Sequence, residues 1–161
     1  MSFFAKATDP PVSKTKNSRQ ISLLLAVIFL IMIIAQLFSF EKFPDIIAAM
    51  NLPGGQGLAK LQAAVIVTLE VFALPFLLAM RLSPAMRVFS MIAGWLAIGG
   101  WVITAIIMNK TDNSGILGAT VSVPAGWWIV FFALGMGVLA AWAAWGAWPL
   151  LSKEIQDGKN K

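Results

Sequence analysis

A single carboxylate stands inside an apolar stretch of this sequence. Glu70 lies in the middle of residues 67–75, VTLEVFALP, and is the only ionisable side chain there. A charged group at the centre of a membrane costs about 2.5–3.5 kcal/mol on insertion scales, so such residues avoid lipid and usually serve a polar or functional contact. Glu70 is therefore the first candidate for chemistry.

Three roles for Glu70 fit the sequence. In the first, a neutral Glu70 is structural and forms a hydrogen bond with Thr68, Thr104, Gln36 or a tryptophan. In the second, it binds a proton or a quinone, which requires an apolar slot with one or two polar groups for the carbonyl oxygens. In the third, it makes a polar contact with another subunit.

The composition places this carboxylate in a membrane protein. Of the 161 residues, 59% are hydrophobic and 12% are charged, whereas soluble domains average about 25% charged residues. Four runs, 21–40, 58–80, 87–108 and 125–148, are long enough to cross a bilayer, which takes roughly 20 helical residues. We expect an all-α membrane protein: a flexible leader (1–20), a bundle of four transmembrane helices (21–149) and a short tail (150–161).

The distribution of basic residues predicts the topology. The net charge is +5, and nine of the twelve Lys and Arg residues fall on the side of the two termini, which the positive-inside rule places in the cytoplasm. The nine are Lys6, Lys14, Lys16, Arg19, Arg81, Arg87, Lys153, Lys159 and Lys161. They do not form a patch with stacking aromatic residues, so nucleic acid is not an expected partner. We expect a multi-pass protein of the cytoplasmic (inner) membrane, in contact with lipid and with a membrane-protein partner or a second copy.

The chain contains neither Cys nor His. It therefore has no thiol for a dithiol reaction, no imidazole to ligate haem and no standard zinc ligands. We expect no metal site.

Helical rise predicts which residues lie near Glu70. At 1.5 Å per residue, Glu70 falls near the middle of its helix, level with Gly99 and Gly100 of the third run and Met136 of the fourth. Glycines at such a level permit close packing or leave room for a ligand. With Trp101 these residues form the predicted ligand-binding set. Gln36 and Lys42 form a separate predicted polar cluster near the outer surface.

Local signals predict other details of the fold. Pro75 removes a helical hydrogen bond about one turn after Glu70, which favours a kink. Ser83 is a suitable cap, and Pro84 a suitable first residue, for the third transmembrane helix.

Apolar residues spaced as one helical face predict a short helix after the first run, either at the membrane interface or over the bundle. They are Phe43, Ile46, Ile47 and Met50.

The tryptophans divide into two predicted groups. Those near the ends of the runs are typical of an aromatic belt at the membrane interface; they are Trp127, Trp128, Trp145 and Trp148. Trp95, Trp101 and Trp142 lie deeper, where their indole N–H groups need partners. These three are candidates for lining a pocket.

Two segments resemble the DoxX-like family, including its MauE-type relatives. They are FSFEKFPD, residues 38–45, and LEVFALPFLLAMRLSPAMR, residues 69–87, in which Lys42-Phe43 and Glu70 with Arg81 match the family pattern. The resemblance implies a small four-helix membrane protein that assists a redox or thiol-stress system, as a subunit of a quinone-linked oxidoreductase or a helper of periplasmic protein maturation. Without cysteine, this chain departs from the thiol chemistry of other members.

The expected function is that of an accessory or membrane subunit of such a system, with a quinone as the possible cofactor. The sequence leaves two alternatives open, which are a non-enzymatic scaffold or assembly subunit and a small proton-linked transporter. Whether the chain is an enzyme is left open as well.

Overall fold

The computed structural model describes residues 7–48, 55–108, 114–119, 121, 123–124 and 126–147. The five helices in these ranges are α1 (Lys16–Phe38), α2 (Phe43–Ala48), α3 (Gly55–Leu77), α4 (Pro84–Met108) and α5 (Trp127–Gly146). In the described ranges, β-type pairing is limited to one isolated bridge between Thr8 and Leu82. The all-α prediction is confirmed for this part of the chain.

Four of the helices, α1, α3, α4 and α5, are long and apolar enough to cross a membrane. They contact one another in cyclic order, α1 with α3, α3 with α4, α4 with α5, and α5 with α1. The start of α1, the end of α3, the start of α4 and the end of α5 lie together, and we call this the terminal end. The opposite end is the loop end. These helices indicate a multi-pass membrane protein.

The boundaries of α1 and α4 follow from their caps. The Thr15 hydroxyl accepts a hydrogen bond from Ser18 N at 3.1 Å in a reciprocal capping box, so α1 begins at Lys16, before the boundary at residue 21 expected from hydropathy. The Ser83 hydroxyl accepts from Met86 N at 3.3 Å and α4 begins at Pro84. The predicted cap of this helix is confirmed.

Pro75 lies inside α3, and a side chain from α4 forms hydrogen bonds with backbone groups of α3 next to this proline. The Ser90 hydroxyl accepts a hydrogen bond from Phe76 N at 3.0 Å and donates to Phe72 O at 2.6 Å. Serine hydroxyls can satisfy backbone groups that a proline frees inside a membrane helix. Helix α3 therefore continues through Pro75 to Leu77 and is joined to α4 at this level.

The apolar face of the short helix α2 is buried inside the protein. Phe43, Pro44 and Ile47 are buried, and the helix contacts α3. Asp45 lies in its first turn, where a negative charge is favourable. Met50 is outside the described residues. The burial of this face against α3 favours a loop helix over the helices rather than an interfacial helix facing lipid.

Residues 7–15, within the segment predicted to be a flexible leader, contact the terminal end of the long helices. The buried Arg87 guanidinium donates to the carbonyl oxygens of Thr8 at 3.1 Å and Asp9 at 3.0 Å. Lys14 N donates to Gly146 O at 2.9 Å, and the Lys14 ammonium lies 4.7 Å from the ring centre of Trp145. These contacts tie the first described residues to α4 and α5.

Candidate functional site

Glu70 is fully buried and is bound by a tryptophan of the neighbouring helix. Trp101 Nε1 donates to Glu70 Oε1 at 2.6 Å, and the exposed fractions of the two residues are 1% and 0%. Of the partners that the sequence left open, the structure selects this tryptophan. The other oxygen, Oε2, has no hydrogen-bond partner within the described residues.

Gln36 of α1 is the second polar neighbour of the Glu70 carboxyl group. It too is fully buried, and its Nε2 atom donates to Ile116 O at 3.3 Å. Its Oε1 atom has no partner in the part of the chain that the structure describes. Glu70 Oε2 and Gln36 Oε1 are therefore two buried oxygen atoms that accept no hydrogen bond from the described residues, while the Gln36 amide carries a second N–H besides the one that binds Ile116 O.

The direction of side chains on helices explains how these residues meet. Glu70 lies about two turns before the end of α3 and Gln36 lies close to the end of α1, so the two are at different levels. Long helical side chains point toward the N-terminus of their own helix, and α1 and α3 run in opposite directions. Glu70 therefore extends toward the loop end. Gln36 of α1 and Trp101 of α4, which runs in the same direction as α1, extend toward the terminal end and so toward Glu70.

Residues 114–119, between α4 and α5, cover the site at the loop end. Besides the bond from Gln36 to Ile116, Ala119 N donates to the Ser39 hydroxyl at 2.8 Å. Gly118 has a φ of +65°, and a Cβ there would lie 2.7 Å from Ala35 O. Residues 114–119 are thus seated on the end of α1, and glycine is needed at 118 for both conformation and space.

An apolar cavity of about 270 Å³ lies beside this cover. Its walls come from α1, α5 and the loop, and include Met32, Ile116, Leu117, Trp128 and Phe132. Met32 is one helical turn before Gln36, and Ile116 accepts the Gln36 hydrogen bond. The lining of this cavity is apolar and does not include Glu70, Gln36 or Trp101, although it includes these two neighbours of Gln36; such a lining suits a lipophilic molecule.

No family model matches the chain, and no curated protein or solved structure is similar to it.

Of the residues predicted to bind a ligand with Glu70, the structure shows a direct contact with Glu70 for Trp101. Met136 is buried in the core of the helices. A Cβ on Gly100 would lie 3.9 Å from Ile66, and a Cβ on Gly99 would meet nothing within 4 Å in the part of the chain that the structure describes. Among the described residues, the atoms nearest to these two Cβ positions include neither Glu70 nor Gln36.

Two of the other predicted partners of Glu70 bind elsewhere. The exposed Thr68 hydroxyl donates to Ala64 O at 2.7 Å, and Thr104 accepts a hydrogen bond from Gln62 Nε2 at 3.2 Å. Lys42, which the sequence grouped with Gln36, is exposed. Gln36 therefore belongs to the Glu70 site rather than to an outer cluster with Lys42.

The deeper tryptophans behave differently from one another. Trp101 is buried, whereas Trp95 and Trp142 are 41% and 46% exposed on the outside of the helices. Trp127, Trp128 and Trp145, predicted as belt residues, are exposed at the helix ends, and Trp148 lies outside the described residues.

The chemistry available here is that of hydrogen bonding and proton exchange at one carboxyl group. Among the described residues there is no cluster of three or more His, Cys, Asp or Glu side chains to hold a metal ion. The site combines Glu70, Gln36 and Trp101, from three different helices, in apolar surroundings. The sequence named all three and listed Gln36 and a tryptophan among the possible partners of Glu70, but it also grouped Gln36 with Lys42 and did not anticipate the cover formed by residues 114–119.

Proposed function

We propose that this protein is a DoxX-like membrane subunit that binds a quinone for a redox or thiol-stress system. The observation that carries the proposal is the buried Glu70–Trp101 pair, in which one carboxyl oxygen has no hydrogen-bond partner among the described residues and Gln36 is a second polar neighbour. A buried polar group without a partner costs about 1–3 kcal/mol. A site that bears this cost next to an apolar cavity is well suited to a lipophilic ligand with polar atoms.

Native mass spectrometry of protein purified gently from membranes, with extraction of bound lipids, tests this proposal. We expect a retained quinone or hydroquinone, and its loss from a Glu70→Gln variant because the carboxyl group that holds it is gone. Glu41→Gln is the matched control, since it makes the same chemical change at an exposed position. The proposal fails if only bulk phospholipid is recovered from the wild-type protein, or if Glu70→Gln retains as much quinone as Glu41→Gln.

The proposed topology is a four-helix bundle with both termini in the cytoplasm. An even number of crossings puts the two termini on one side, and the positive-inside rule favours the cytoplasm for the side with more basic residues. Five described basic residues lie at the terminal end, namely Lys14, Lys16, Arg19, Arg81 and Arg87. Because the chain has no cysteine, single cysteines at the exposed positions Asn17 and Glu41 can be labelled without background. In intact cells, an impermeant maleimide should label position 41 and not position 17; the reverse pattern would refute this topology.

A non-enzymatic assembly subunit is the second candidate function, and Gly135 of α5 favours it. Gly135 is exposed, and a Cβ there would meet no described atom within 4 Å, whereas a Cβ on Gly137 would lie 3.8 Å from Ile98 of the same chain. Gly135 thus offers a place where another helix can approach closely. If this candidate is correct, Gly135→Ile should release a co-purifying membrane protein without unfolding the chain, and an unchanged complex would exclude this surface.

A further inference from the structure

Residues 8–15 form a strap across the terminal end, and a small cavity lies between the strap and the helices. The strap is bound near both of its ends, since Thr8 N donates to Leu82 O at 3.1 Å and Lys14 N donates to Gly146 O at 2.9 Å. The cavity has a volume of about 30 Å³, which is room for about one water molecule. All four long helices contribute to its lining, and the strap contributes Pro10, Pro11 and Ser13.

Two guanidinium groups and a hydroxyl group line this cavity. Arg19 of α1 donates to Leu78 O at 3.2 Å, and the Ser22 hydroxyl donates to Leu77 O at 2.7 Å. Arg87 of α4 donates to carbonyl oxygens of the strap. The side chains gathered here are therefore hydrogen-bond donors that come from two different helices.

The lining also favours an anion. Among the described residues of the terminal end, the one acidic side chain is Asp9, and its carboxylate pairs with the exposed Arg81 outside this cavity. Arginine forms paired hydrogen bonds with the oxygens of a phosphate group. On the proposed topology this end faces the cytoplasm, where anionic lipids bring phosphate groups to the membrane surface.

We infer that the terminal end binds a phosphate group, from an anionic lipid or free in solution, and that the strap closes this site. In the closed form, the carbonyl oxygens of Thr8 and Asp9 bind Arg87; phosphate oxygens take their place in the open form. A phosphate group is larger than the one water molecule that the closed cavity admits. The strap and the phosphate group therefore exclude each other.

The strap is held weakly enough to open without unfolding the helices. Its middle, residues 10–13, makes no hydrogen bond with the described part of the chain, and Val12 is 94% exposed. The Asp9–Arg81 ion pair is exposed, and such pairs contribute little to stability. Segments with few buried contacts open locally at a lower free energy than the core.

Hydrogen exchange of the full-length protein in lipid nanodiscs tests this inference, with the amides of Thr8 and Lys14 reporting whether the strap is closed. Phosphatidylcholine, whose choline cation offsets the phosphate charge, is the neutral reference. In phosphatidylglycerol both amides should exchange about tenfold faster, as mass action gives for a ligand of the open form present at about ten times its dissociation constant. Inorganic phosphate added to the phosphatidylcholine nanodiscs identifies the source: an equal increase assigns free phosphate, and an increase with phosphatidylglycerol alone assigns the lipid.

Arg19→Gln distinguishes a defined site from general attraction of lipids to a basic surface. Arg19 lines the cavity but binds carbonyl oxygens at the end of α3 rather than the strap. Loss of a charged hydrogen bond weakens binding about tenfold, so the response should fall to about twofold. Lys16→Gln removes the same charge at an exposed position outside the cavity and should keep the full response. Equal loss in the two variants, or no response of the wild-type protein to either phosphate source, overturns the inference.

Two proline substitutions test closure by the strap. Thr8→Pro removes the N–H and the hydroxyl group that bind Leu82 O, and should increase the phosphatidylglycerol retained in native mass spectrometry. Val12→Pro is the matched control, because the Val12 N–H binds no described residue, and its retention should equal that of the wild-type protein. Equal retention by the two variants would show that the strap does not close the site.

Discussion

The hydrogen bond between Trp101 and Glu70 predicts a measurable coupling between the two residues. Trp101→Phe keeps an aromatic ring but removes the indole N–H, and leaves both oxygens of a buried carboxyl group without a hydrogen bond given above from the described residues. We expect it to cost about 2–3 kcal/mol of the free energy of unfolding. Glu70→Met should cost only about 1 kcal/mol, because the unpartnered indole N–H is offset by the removal of the unpartnered Oε2.

The double variant should be less destabilised than the sum of the two single variants. Hydrogen bonds between membrane helices contribute about 0.6 kcal/mol on average and about 1.7 kcal/mol at most in such cycles. The Trp101–Glu70 bond is short, at 2.6 Å, and both side chains are buried, so we expect a coupling of about 1.5 kcal/mol, near the upper value. Neither partner is left unsatisfied when both are replaced by apolar residues.

Reversible unfolding by sodium dodecyl sulfate in mixed micelles, followed by circular dichroism, gives the four free energies. The bond between Gln62 and Thr104 is the internal comparison, since it joins the same two helices at 3.2 Å in a part-buried position. Its cycle, with Gln62→Leu and Thr104→Val, should give about 0.5 kcal/mol. A Trp101–Glu70 coupling no larger than this comparison would show that the buried pair does not stabilise the fold in the way argued here.

Two further substitutions test the cover of the site and the terminal end. Gly118→Ala should lower the thermal midpoint and increase proteolysis of residues 114–119, because a Cβ there would meet Ala35 O and the backbone has a positive φ. Gly57→Ala is the control, since a Cβ there meets nothing within 4 Å among the described residues. It should change neither the thermal midpoint nor the proteolysis. Arg87→Lys should increase hydrogen exchange in residues 7–15, since the buried guanidinium holds the carbonyl oxygens of Thr8 and Asp9. Arg81→Lys is its control, because the Arg81–Asp9 ion pair is exposed, with side-chain accessibilities of 74% and 71%, and such pairs contribute little. Equal exchange in the two lysine variants, or an unaltered Gly118→Ala protein, would contradict these assignments.

The helices were predictable because the signals for them are local. Length and hydropathy locate the four long helices, and Ser83 and Pro84 mark the start of α4 where the structure has it. The start of α1 was placed too late, since a capping box of Thr15 and Ser18 is polar and lies outside the hydropathy run. Hydropathy measures preference for lipid, whereas a cap satisfies backbone groups and extends a helix into the polar region.

The arrangement of the site was less predictable because it depends on contacts between helices. Counting levels by rise placed Glu70 beside Gly99 and Gly100, but side chains extend along a helix as well as away from it. The partners Gln36 and Trp101 consequently have backbone positions nearer the loop end than that of Glu70. The pairing of Ser90 with the backbone around Pro75 is another contact of this kind, and neither residue predicts the other from the sequence alone.

The contact between the first and last membrane helices has a consequence for biosynthesis. A Cβ on Gly146 of α5 would meet the Ser18 side chain of α1, and Lys14 N donates a hydrogen bond to the Gly146 carbonyl oxygen. These contacts of the first residues therefore form only after the end of α5 has been synthesised. Glu70, Gln36, Trp101 and Ile116 all precede α5 and emerge from the ribosome earlier. All residues of the polar site are therefore synthesised before the helix that completes the ring of contacts. A nascent chain halted before α5 contains every residue of this site but lacks the α5 wall of the cavity, so the cavity is open on that side.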